Sequence, residues 1–92
     1  MSTYNAPMAF TVTRDPEGGI LLVRFTSAKI HHTEEVRDDE GYLVALVDVA
    51  ADGSVVDVEI INLDHFDLDA CAARYGFADR AGAIGAALAA VA

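Results

Sequence analysis

Two histidines and a run of acids crowd the stretch IHHTEEVRDDE: His31 and His32, then Glu34, Glu35, Asp38, Asp39 and Glu40. Imidazole and carboxylate are the usual ligands of zinc and non-haem iron. On a strand, neighbouring side chains point to opposite faces. His32 then shares a face with Glu34, while His31 goes with Thr33 and Glu35. Two ligands at that spacing need a third, and His65 in LDHFD is the one histidine left. His32, Glu34 and His65 are therefore the candidate ligands of a metal- or small-ligand-binding protein. The competing reading is a polar edge strand, whose charges block edge-to-edge aggregation. That reading also accounts for the acids that follow, and it leaves no cofactor to expect.

Other residues that could do chemistry are weaker candidates. Asp57 and Glu59 share the outer face of one strand, and Asp48 joins them across a hairpin. Paired carboxylates do acid–base work when one of them is desolvated. An exposed sheet face is not expected to desolvate them, so solvent or a basic partner is the expected neighbour. Asp64, Asp67 and Asp69 lack the glycine and closing glutamate of a calcium loop and read as helix-capping acids. Cys71 is the only cysteine, which excludes an internal disulfide, and in DACAARY it reads as a small buried helix residue. No nucleophile elbow, phosphate loop, dinucleotide fingerprint or Cys-x-x-Cys is present. No enzyme is expected.

Charge narrows the partners. The 92 residues carry a formal net charge of −9, with Lys29 the single lysine. Nucleic-acid binding needs basic side chains gathered on one face, and anionic membranes need the same. Neither is expected. A basic protein partner is favoured, because opposite fields steer encounter. The N-terminus has no basic segment followed by an apolar core. The longest small-apolar run, AGAIGAALAAVA, falls short of the ~20 residues that span a bilayer. A cytoplasmic location is expected.

The elements that must position these residues follow from periodicity. AFTVTR alternates, DPEGG breaks the chain, and ILLVRFT alternates again, which reads as a hairpin. IHHTEEV reads as a third strand, with RDDEG as its turn. YLVALVDV is apolar on both faces, as in a central strand or one covered by a second subunit. Leu43, Ala45, Val47 and Val49 are expected on one side, Val44 and Leu46 on the other. ADGS suits a primed hairpin turn, and VVDVEII follows, with Val56, Val58 and Ile60 toward the core. The period then becomes helical: Leu68, Cys71, Ala72 and Tyr75 fall on one face. Gly76 is placed to end that helix and Phe77 to fold back. Asp79 is expected to cap a second helix carrying Ile84, Leu88 and Val91. The fold class is therefore α+β: a four- or five-stranded antiparallel β-meander, then one or two C-terminal helices packed on the sheet. Residues 1–92 are one domain, with a loose end at 1–8, the meander at 9–62 and the helical segment at 66–91.

With the hairpins placed, FTVTRDPEGGILLVRF, SAKIHHTEEV and GYLVALVDVAADGSVVDVEIINL together resemble a small bacterial family catalogued as a domain of unknown function. The likeness runs from Phe10 to Leu63. Its most specific piece is VDVAADGSVVDVEII, where Asp48, Asp52, Gly53, Val56, Glu59 and Ile60 stand at matching places. The family's acid and tyrosine in the second strand fall near Gly19 and Leu22, and its glycine before the closing iEIL falls at Asp57. The resemblance implies a compact β-rich domain, often dimeric and often encoded beside small toxin-like proteins. That context implies an antitoxin-like, partner-binding role.

The expected function is thus a non-enzymatic, acidic protein-interaction module, a partner of a basic protein. Glu34, Glu35, Asp38, Asp39, Asp57 and Glu59 are the expected steering charges. The small-residue helix presents Ile84, Leu88 and Val91 as the expected interface of a homodimer.

Overall fold

The computed structural model describes residues 10–92; the stretch 1–8, expected to be loose, lies outside the described residues. Five strands form: β1 (Thr11–Arg14), β2 (Leu21–Arg24), β3 (His32–Arg37), β4 (Leu43–Val49) and β5 (Val55–Ile60). A 3-10 turn at Leu63–His65 leads to α1 (Leu68–Tyr75), and a second at Ala78–Arg80 leads to α2 (Ala81–Val91). The fold is the expected α+β arrangement, an antiparallel sheet followed by two helices packed on it.

Strand order in the sheet is β1-β2-β5-β4-β3, with every neighbouring pair antiparallel. β3, β4 and β5 follow one another as a meander, and the β1–β2 hairpin joins it along β5. The connection from β2 therefore passes β5 and β4 to reach the far edge. It is tied at both ends: Phe25 N–H donates to the Val56 carbonyl and His31 N–H to that of Val49. The most apolar segments take the centre and the polar β3 takes an edge, where its unpaired backbone groups meet water. The Asp-Gly turn between β4 and β5 forms as its residues require. Gly53 adopts φ 88°, and the Asp52 carboxylate accepts from both the backbone N–H and the hydroxyl of Ser54.

Two register slips change the alternation. Arg37 pairs with Leu43 and Val36 with Ala45, so Val44 is the extra residue of a bulge. A bulge turns two successive side chains to one side. Val44 is 2% exposed and lines a cleft with Cys71 of α1. Leu43 instead lies opposite Arg37, away from the face expected for it. A second slip, beside Val49, leaves Val56 without a partner in β4.

One sheet face carries the core. Leu21, Val23, Ala45, Val47, Val58 and Ile60 meet Cys71, Ala72, Ala81, Ile84 and Leu88 of the helices. α1 starts where expected: Asp67 accepts from Ala70 N–H at 3.0 Å. It ends at Gly76, φ 82°, and Phe77 folds back so that its N–H reaches the Ala72 carbonyl. α2 departs from expectation. Its N-cap is Arg80, and Asp79 makes no capping bond because a 3-10 turn occupies that stretch. Packing therefore sustains this helix, with Ile84 fully buried and Leu88 3% exposed. The stripe expected as a dimer interface is used inside the chain, and Val91 is half-buried against the same core. No helix of the described residues is long and apolar enough to cross a membrane.

Candidate functional site

Between the β3–β4 turn and the start of α1 lies an open cleft of about 510 Å³. Its apolar floor is Val36, Val44 and Cys71, which the bulge and the buried face of α1 bring together. Asp38, Asp39 and Glu40 of the turn stand along it with Asp67, and His65 lies among its walls. The turn is held by its own side chains. Asp38 accepts from the N–H groups of Glu40 and Tyr42, each at 2.9 Å. Arg37 is held by Glu35 at 2.8 Å and by the Gly41 carbonyl at 2.9 Å. Asp38 and Glu35 are thus committed to local structure. Among the described residues Asp39 and Glu40 have no ion-pair partner.

Above this cleft, Glu34 fastens the edge strand to the helix. One carboxylate oxygen accepts from Tyr75 O–H at 2.8 Å, and the other lies 2.8 Å from His32 Nε2. Arg74 stands 3.9 Å away. The His32 bond, then the Tyr75 bond, hold the Glu34 carboxyl below the usual glutamate range. Burial, with the bond to Glu34, pushes the Tyr75 hydroxyl up to about 12.

The expected ligand set is not assembled. Among the described residues, no three histidine, cysteine, aspartate or glutamate side chains gather as a metal site. His32 stands at the start of β3, whereas His65 lines the cleft near Arg37, at the strand's other end. Both oxygens of Glu34 are already engaged. Cys71 is 4% exposed and burial pushes its thiol up to about 11, which fits its expected place as a small buried helix residue.

On the opposite sheet face, cross-strand pairing sets Thr11, Arg24, Asp57, Asp48 and Thr33 in one row. The expected Asp48–Asp57 pairing is there, but the expected exposure is not. Asp57 is 2% exposed and Asp48 7%, so Asp57 cannot steer a partner from the surface. The neighbours compensate incompletely. Thr33 donates to Asp48, and Arg24 reaches Asp57 Oδ2 at 3.5 Å. Asp57 Oδ1 is buried with no hydrogen-bond partner. Burial first, and Asp48 second, push the Asp57 carboxyl up to about 6. Below about pH 6 a proton on Asp57 removes one of the two like charges. Counting outward from the Asp-Gly turn locates the pair; the alternating pattern gives no sign of its burial. Glu59 remains half-buried on this face.

Comparison with family models, with curated proteins and with solved structures gives no match to this chain.

Proposed function

We propose that the protein is a non-enzymatic interaction module whose cleft takes a basic segment of a protein partner. The observation that carries this reading is the cleft itself: an apolar floor flanked by Asp39 and Glu40, which make no ion pair among the described residues, while Arg37 of the same wall is engaged by Glu35 and Arg74 lies nearest Glu34. Lysine and arginine side chains match such a site, since their stems bury on apolar surface while their heads reach carboxylates. The net charge of −9 adds long-range attraction for a basic chain. The resemblance to the bacterial family found beside toxin-like proteins supports an antitoxin-like role. The volume of the cleft also lies in the range of small-molecule sites, so the second reading is a small cationic ligand.

A titration with a lysine- and arginine-rich peptide, followed by backbone amide NMR, tests the proposal. Shifts are expected at 36–40 and 65–75, weakening with salt and absent in the Asp39→Asn/Glu40→Gln double variant. Shifts scattered over the surface, or unchanged in that variant, overturn it. Shifts at the same residues with arginine methyl ester, but not with the peptide, select the small-ligand reading.

A further inference from the structure

His31 and His32 serve neither the cleft nor the acid pair. Strand alternation should send them to opposite faces, yet their Nδ1 atoms lie 3.1 Å apart with the rings edge to face. The cause is the point at which the strand begins. His31 precedes β3, its N–H bound to the Val49 carbonyl, and only His32 belongs to the pleat. The other side of the His32 ring is fixed as well. Its Nε2 meets Glu34 at 2.8 Å, and Tyr75 anchors that carboxylate in turn. An imidazole that donates from Nε2 to a carboxylate leaves its Nδ1 lone pair free when neutral. A carboxylate behind one ring nitrogen and a metal ion on the other is the usual setting of a ligating histidine.

The spacing suits a chelate. Metal–nitrogen bonds of about 2.0–2.1 Å from two atoms 3.1 Å apart close an angle of roughly 100° at the ion. That lies between square-planar and tetrahedral geometry. We propose that His31 Nδ1 and His32 Nδ1 together bind a divalent transition-metal ion of the zinc, nickel or copper class, with Glu34 orienting His32 and not ligating. Without the ion, a proton on His31 Nδ1 bridges the two rings. The ion lies off the line joining the two nitrogens, so the exposed rings turn until both lone pairs converge on it, and His31 carries its proton on Nε2 instead. Both rings are exposed, so the ion enters from solvent and water completes its shell. With two protein ligands, affinity follows the general order of these metals, copper tightest.

Zinc chloride, titrated into tag-free protein, tests the site by calorimetry and by the ring-proton NMR signals of each histidine. One ion per chain is expected, with the His31 and His32 signals shifting and that of His65 still. His31→Gln and His32→Gln should each weaken binding at least about tenfold, and Glu34→Gln by about tenfold through loss of the oriented ring. His65→Gln should leave it unchanged. Unaltered thermal melting of the His31→Gln and His32→Gln proteins confirms that they fold, as their exposed positions imply. Binding that survives either substitution, or that falls equally in His65→Gln, overturns the site. Undiminished binding in Glu34→Gln overturns the orienting role of that residue.

Discussion

Asp48 and Asp57 face each other across the two central strands, and neither reaches solvent to any extent: they are 7% and 2% exposed. Sheets seldom pair two acids in register, since like charges directly opposite one another destabilise the pair. Below about pH 6 a proton on Asp57 relieves that repulsion. Arg24 approaches from one side only, and Glu59 on the same strand adds a further negative charge.

Stability is therefore expected to fall as pH rises through about 6. An acid whose pKa is raised by folding holds its proton more tightly in the fold than in the unfolded chain. The stabilisation it contributes is complete below the ordinary value of 3.8 and lost as pH rises through about 6. Glu34 and Asp52 are displaced downward, so their contributions are lost only as pH falls through their lowered values, below this window. Denaturant unfolding between about pH 5 and pH 8 measures the slope. Asp57→Asn should flatten it and gain on the order of 1–2 kcal/mol at the upper end. A parent protein with no slope there, or a variant that keeps it, removes the Asp57 proton from the account.

Tyr75→Phe should cost about 1 kcal/mol, the net worth of a hydrogen bond to a half-exposed carboxylate. The loss should be felt locally, because the bond ties β3 to the last turn of α1. Hydrogen exchange resolves the effect. Amides of β3 and α1 should exchange faster, and those of β2 and β5 should not. Uniform acceleration across the sheet contradicts a local fastening.

The five strands were legible because alternation, the turn residues and the Asp-Gly pair agreed with one another. The helical period from Leu68 to Tyr75 was equally plain. Strand order was not, since alternation tells which side chains share a face but not which strand lies next. Nor were the bulges, which add Val44 and Val56 without disturbing the apolar pattern. The candidate sites suffered most. Glu34 binds Tyr75, 41 positions away, and no local spacing reports that contact. The meeting of the His31 and His32 rings depends on the single residue at which β3 begins. The burial of Asp57 depends on neighbours from other strands.

Ile84→Ala should destabilise by about 2–5 kcal/mol, as expected when a fully buried side chain leaves a cavity. This also separates two roles for α2. A core residue lost from a monomer lowers the unfolding midpoint at every protein concentration alike. An interface residue lost from a dimer lowers it in a concentration-dependent way. Denaturation at two concentrations, with the mass followed by light scattering, is expected to show the first pattern.

Cys71 offers a probe of the same architecture. Its thiol lies at the floor of the cleft, 4% exposed and pushed up to about 11 by burial. At about pH 8 only on the order of one thiol in a thousand is ionised, and the thiolate is the reactive form. An aromatic disulfide reagent should therefore label the native protein orders of magnitude more slowly than the unfolded chain. The reaction waits for α1 to part from the sheet, so its rate reports that opening. Tyr75→Phe, which cuts the link from α1 to Glu34, should accelerate labelling about fivefold for each kcal/mol it removes from the closed state. If Cys71 reacts at the same rate in both proteins, opening does not pass through the Glu34–Tyr75 contact, and β3 is held to the helix by packing alone.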